Sequence, residues 1–253
     1  MDPQPDPNRK PWLLAAAAVA AVAAVVIGVL VLADDDDDTV ATDETTTTSS
    51  SSTTTSTTVA ATTSSDPDFA VVDPSVTVFP DPTTSRRFED PIPLVQAFAT
   101  EMVGFADPVV GDLLPGDQRS GEVEVRARPD GPVTVVAVRR LEDDTWFVLG
   151  AATDAIRLDQ PAAGATVTSP LTTSGQAYAF EGTVQVRLLA DGTEAPIATG
   201  FVTGRGDGVL GDWTGDPIPF EVPEGADYGV LVLSSEGGED AAVLDATVVR
   251  VGL

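Results

Sequence analysis

The chain is predicted to be mainly β, with an antiparallel two-layer sandwich at its C-terminal end and a small α+β unit before it. An N-terminal membrane helix and a disordered spacer precede both. Three observations lead there. From Ile156 to Leu253 short apolar runs recur between Gly, Pro and Asp-Gly turns, and no helical period is visible. In residues 121–128, Val123, Val125 and Ala127 alternate with charged residues, the period of a half-buried strand. Far upstream, the run from Trp12 to Ala33 has no charged side chain. About 20 such residues span the ~30 Å hydrocarbon core of a bilayer as a helix.

Arg9 and Lys10 lie just before that run and Asp34 to Asp38 just after it. Basic residues stay on the cytoplasmic side. Residues 1–11 are therefore expected as a cytoplasmic tail, 12–33 as a single-pass transmembrane helix in the plasma membrane, and everything later as extracellular. The competing reading is a cleaved signal, since Val31-Leu32-Ala33 has the small residues of a signal-peptidase site and would leave a secreted protein. A signal's apolar core is usually about 7–15 residues, which favours the anchor. Ala16, Ala20, Ala24 and Gly28 put small side chains on one helix face. That spacing suits weak self-association, although an abundance of alanine gives the same pattern.

Residues 34–84 are rich in Asp, Ser and Thr and contain no Lys or Arg. With too little apolar surface to offset chain entropy, they are expected to be a disordered tether. A coil of about 50 residues has a mean span of roughly 40 Å, enough to carry a domain into a cell wall. The hydroxyl-rich stretch 45–58 suits O-glycosylation, and it suits an unmodified spacer equally.

Residues 85–155 form the expected α+β unit. Asp90-Pro91 reads as an N-cap followed by a helix-starting proline. Val95, Phe98, Met102 and Phe105 follow at helical spacing, and Gly104 is placed to end the helix. Residues 106–120 carry Asp107-Pro108 and Pro115-Gly116 and are predicted to be an irregular loop. Strands are predicted over 121–128, 133–141 and 145–151. At under about 70 residues a helix on a three-stranded meander is marginal alone and is expected to lean on its neighbour. Alternation puts Trp146 and Val148 on one strand face and Phe147 and Leu149 on the other. One of these aromatics is therefore expected at the surface, as a candidate binding anchor.

In residues 156–253 the apolar runs are 156–158, 165–167, 171–179, 183–189, 197–202, 219–222, 228–234 and 242–251. About seven strands in about 100 residues is the pattern of an immunoglobulin-like sandwich. The Cys…Trp…Cys hallmark of antibody domains is missing. Pro161, Gly164, Val167, Ser169 and Pro170 form a P-x-x-G-x-x-V-x-S-P stretch; Gly175-Gln176-Ala177 and Phe180-Glu181-Gly182-Thr183-Val184 follow. In these motifs the segment resembles the immunoglobulin-like domain of bacterial spore germination. The resemblance implies a β-sandwich on an extracytoplasmic protein, and by family a link to germination or sporulation; it implies no activity. Residues 91–155 are similar to a region that often precedes this domain in envelope proteins of GC-rich Gram-positive bacteria. The glycine-rich stretch 204–211 departs from the compact pattern.

Composition narrows the chemistry. The net charge of -27 opposes binding to nucleic acid. Having neither His nor Cys, the chain lacks imidazole and thiol as base, nucleophile or metal ligand, and no disulfide can form. Its one lysine, Lys10, lies on the cytoplasmic side. Carboxylates remain. Glu181, Asp212 and Asp216 are the candidates for a carboxylate-only glycan hydrolase, the alternative function. Asp207, Asp212 and Asp216 are the candidates for a Ca²⁺ loop, without EF-hand spacing. Arg205-Gly206-Asp207 matches an adhesion tripeptide that also arises from ordinary turn chemistry. Glu181 is read either as a ligand contact or as a corner residue accepting backbone N–H bonds. Trp146 and Trp213 are read as core residues or ligand anchors, and Phe180 as core. No cofactor is expected. The expected role is non-enzymatic binding or scaffolding of another envelope protein or a wall polymer.

Overall fold

The computed structural model describes residues 72–141, 144–237 and 241–253. The expected membrane span at 12–33 and the tether up to residue 71 lie outside them. Among the described residues no helix is long and apolar enough to cross a membrane.

The helix begins and ends where its punctuation placed it. Asp90 is extended (φ −128°) and its carboxylate accepts the Ile92 N–H at 2.8 Å, opening α1 (Pro91–Ala97). A π-helical turn, Phe98–Val103, continues it. Gly104 closes it in the left-handed region (φ 99°), donating to the Ala99 carbonyl at 3.0 Å. Leu94, Val95, Phe98, Val103 and Phe105 are buried.

Four strands follow, where three were expected: β1 (Val109–Pro115), β2 (Ser120–Arg126), β3 (Thr134–Arg140) and β4 (Trp146–Thr153). The predicted loop over 106–120 thus contains an edge strand, β1, antiparallel to β2 with an irregularity between Val110 and Leu113. Pro108 precedes β1 and Pro115 ends it, positions where an edge strand tolerates a missing N–H. The prolines are strand boundaries here, and Val109, Val110, Leu113 and Leu114 lie between them.

The second part comprises β5 (Ile156–Gln160), β6 (Ser174–Ala177), β7 (Thr183–Ala190), β8 (Ala198–Thr203), β9 (Gly211–Asp212), β10 (Tyr228–Glu236) and β11 (Val243–Gly252). Two expected runs are not strands. Thr166 makes only a single bridge with Gly252, and Phe220 is buried from a loop. The glycine-rich stretch instead supplies the short β9. One antiparallel sheet runs β1-β2-β3-β4-β11-β10-β7-β8, and β5, β6 and β9 branch from β4 as a second layer. The α+β unit joins the sandwich at Ala151↔Val248 between β4 and β11.

This continuity gives β10 and β11 a core on each face. Val230, Val232, Ala246 and Val248 meet the helix, Val123, Val136 and Trp146. Leu231, Leu233, Val249 and Val251 meet Ile156, Val184, Leu188 and Trp213. Strands covered on both faces read as unbroken apolar runs, as these do.

Residues 72–84, expected as the end of the tether, are packed. Val78 donates to the Val148 carbonyl at 2.9 Å, and the Val148 N–H donates to Phe79 at 2.8 Å. The Phe79 ring lies 6.2 Å from Phe88 and 6.0 Å from Phe98. Arg86 holds Glu101 through two bonds, at 2.6 and 2.9 Å, while its guanidinium covers the Phe79 and Phe88 rings. Ser, Thr, Asp and Pro dominate this strap by count, but Val78 and Phe79 bury enough surface to fix it.

Arg187, on β7, donates to the carbonyls of Met102 and Val103 at 2.8 and 3.1 Å, satisfying the last turn of the helical segment. Burial lowers its pKa. Arg187→Met keeps the aliphatic stem and removes both bonds. It is expected to cost about 2 kcal/mol in chemical denaturation, the scale of a lost hydrogen bond to a charged donor.

Candidate binding surfaces

The Phe-Glu-Gly segment makes a corner by its backbone. Glu181 (φ 55°) and Gly182 (φ 76°) are both left-handed. The Gly182 N–H donates to Ala179 at 2.9 Å, and its carbonyl accepts the Gly204 N–H at 2.7 Å. A Cβ at residue 182 would lie 2.8 Å from the Gly204 carbonyl oxygen. The glycine is therefore fixed by both conformation and space. The Glu181 side chain is exposed and accepts no backbone N–H among the described residues, so the corner role expected of its carboxylate falls to the main chain.

Both candidate anchor tryptophans are buried. Trp146 lies in the helix-facing core. Trp213 lies in the second core, its indole N–H directed to the Thr173 carbonyl at 3.3 Å. Phe147, on the other face of β4, is covered too, with the Arg87 guanidinium 5.5 Å from its ring centre. The expected exposed aromatic at 146–147 is thus absent, because the residues before the helix fold back over β4. The Phe180 side chain lies outside the described atoms.

Two of the candidate carboxylates are engaged by neighbouring side chains. Asp212, on β9, accepts from Gln176 at 2.9 Å across the strand pair. Asp207 is closed onto Arg205, accepting from Nε at 3.0 Å and pairing with Nη2. The Arg205 hydrogen bond holds its pKa down to about 2. The adhesion-like tripeptide is thereby folded on itself. Asp216 lies past β9, along the edge of β8. Among the described residues no cluster of three or more acids is placed to hold a metal. A strand intervenes where the Ca²⁺ reading needed one loop.

Two concavities stand out. A cleft of about 580 Å³ lies beside Ser75, Val76, Leu149, Thr166, Tyr228 and Arg250. Arg250 has only 3% of its side chain exposed and forms a bidentate pair with Asp191, while its Nε donates to the Pro74 carbonyl at 2.6 Å. Tyr228 stacks 5.4 Å away. Burial pushes the Asp191 carboxyl up, against the pull of Arg250. The second concavity, a groove of about 490 Å³, runs between β8 and residues 214–219 and includes Phe201, Asp216, Pro217 and Ile218. Phe201 is 61% exposed. Each concavity is lined by one carboxylate, Asp227 in the first and Asp216 in the second; glycoside hydrolysis uses a facing pair.

Sequence reasoning did not single out Arg250, Asp191 or Phe201. For Phe201 a signal existed: Ala198, Gly200 and Val202 alternate with Thr199, Phe201 and Thr203, which puts the ring on the polar side of its strand.

Residues 155–241 match the family model for the immunoglobulin-like domain of bacterial spore germination. Neither a curated protein nor a solved structure matches the chain.

Proposed function

We propose that this chain, whose residues 155–241 are similar to the immunoglobulin-like domain of bacterial spore germination, is a non-enzymatic binding or scaffolding protein of the cell envelope. That match is the observation that carries the reading. In this proposal residues 12–33 anchor the chain in the plasma membrane and residues 34–71 are the tether. The folded part then stands outside, against another envelope protein or a wall polymer. The charge step from Arg9 and Lys10 to Asp34–Asp38 supports that orientation. That each concavity is lined by a single carboxylate supports a binding role over a hydrolytic one.

Protease added to intact cells stripped of their wall should digest the folded part. Protection until the membrane is opened would reverse the topology. The full chain in detergent, immobilised, should retain either solubilised envelope protein or wall material. Retention of neither would remove the binding reading.

A further inference from the structure

Resting on that binding role, with a wall polymer as the partner, we infer that the cleft beside Arg250 is a saccharide site, which takes an uncharged pyranose unit of a glycan chain. Three paired residues make its floor. Tyr228 on β10 lies opposite Gly252 on β11, and Gly252 bridges Thr166. Partners in one row of a sheet project to the same face, so the Tyr228 and Thr166 side chains stand on either side of a residue that has none. A Cβ at residue 252 would lie 2.9 Å from Thr166 Oγ1, so this hydroxyl leans over the gap. Arg250, two residues back on the same face, donates to the Pro74 carbonyl and so keeps Ser75 and Val76 of the strap at the same opening. The cleft they enclose, about 580 Å³, is of the size that holds small molecules.

The lining selects the ligand. A pyranose has hydroxyls around its rim and C–H bonds on its faces. Ser75, Thr166, Asp227 and Tyr228 bring hydrogen-bonding groups from three separate segments, while Val76, Leu149 and the Tyr228 ring bring apolar surface. Tyrosine suits such a place, with an apolar body and a polar tip. The Arg250 guanidinium, 5.4 Å from the ring centre, holds Tyr228 before a ligand arrives, which lowers the ordering cost of binding. Charge separates this ligand from the other small ones. Among the described residues only Arg250 and Asp227 bring charge to the lining, and Arg250 is paired with Asp191. No uncompensated cation is left for a phosphate or carboxylate. An alkylamine would pair with Asp227 and leave the hydroxyls of the other segments unused.

The probes are two neutral trisaccharides, β-1,4-linked N-acetylglucosamine trimer and maltotriose, titrated by calorimetry into the full chain in a detergent without a sugar head group. Trigalacturonate, a pyranose chain carrying carboxylates, and 1,5-diaminopentane are the controls. The expected result is saturable binding of a neutral trisaccharide and of neither control. Tyr228→Ala should weaken it at least about tenfold, as loss of an aromatic anchor does. Asp227→Asn should weaken it about tenfold and Thr166→Val about threefold, the sizes of a charged and a neutral hydrogen bond. Phe201→Ala, in the other groove, should leave it unchanged. Asp227 and Thr166 are exposed, so their variants should melt as the parent does and carry the test if Tyr228→Ala unfolds.

Several results would overturn the assignment: no binding of either neutral trisaccharide, equal binding of trigalacturonate, or binding indifferent to Asp227→Asn and Thr166→Val together. Displacement of the sugar by 1,5-diaminopentane would also overturn it, giving the cleft to an ammonium group. If no saccharide binds and the immobilised chain still retains envelope protein, the saccharide site falls and the wider binding role stands. If nothing at all is retained, both fall.

Discussion

Gly175→Ala is expected to destabilise the fold by about 3 kcal/mol or more, the upper end of overpacking costs. A Cβ there would lie 2.1 Å from the Arg157 carbonyl oxygen on one side and 2.5 Å from the Trp213 ring on the other. The carbonyl belongs to β5, paired with β6 through Leu158↔Gly175, and cannot retreat without opening that pair. Trp213 is wedged in the second core. For a domain of this size the melting temperature should fall by roughly 6–12 °C. Gly164→Ala is the control. Gly164 is left-handed (φ 78°) with nothing near its would-be Cβ. It should cost only about 1 kcal/mol of backbone strain. Equal effects of the two substitutions in thermal unfolding would show that the wedge between Arg157 and Trp213 is not what restricts Gly175.

Arg250→Met is expected to cost about 3–5 kcal/mol, because it strands the Asp191 carboxylate in a buried place. It also frees the Pro74 carbonyl and so loosens the strap ahead of the helix. Adding Asp191→Leu should recover much of the loss, since an apolar pair carries no unpaired charge. The single variant should also become sensitive to pH. Burial already raises the Asp191 pKa in the folded state, and removing the cation raises it further. The folded chain then keeps its proton where the unfolded chain has released it. Stability should be highest below the ordinary carboxylate range and fall as pH rises through it. Unfolding curves for Arg250→Met across pH 3 to 7 check this, and a flat or opposite trend would remove Asp191 as the cause.

Local signals in the sequence were read well where the chemistry is local. Asp90, Pro91 and Gly104 bound the helical segment because caps act on their own backbone. The alternation in β2 survives because one of its faces lies in a core. What could not be read depends on residues far apart. Prolines at 108 and 115 look the same in a loop and at the ends of an edge strand; only the partner strand decides. Nothing near Trp146 or Phe147 announces that Arg87 and the strap will cover that face. Val78 and Phe79 are too few to shift the composition of a polar stretch, yet their contacts with Val148 and Phe98 hold it. The candidate acids were grouped by sequence proximity, and β9 then placed Asp212 on a strand between Asp207 and Asp216.

The two-faced burial of β10 and β11 removes a safeguard that most strands possess. A slip of one residue normally turns apolar side chains to water, and that penalty keeps strands aligned. Here a slipped strand would exchange one greasy surface for another. The few polar side chains must then act as alignment pins. Ser235 donates to Asp245 at 2.5 Å, Thr247 to the Ile156 carbonyl at 2.7 Å, and the Ala246 N–H to Thr134 at 3.2 Å. Any displacement would leave these groups dry and unsatisfied. In this fold it is the hydroxyls and carboxyls inside, more than the valines around them, that make the pairing unique.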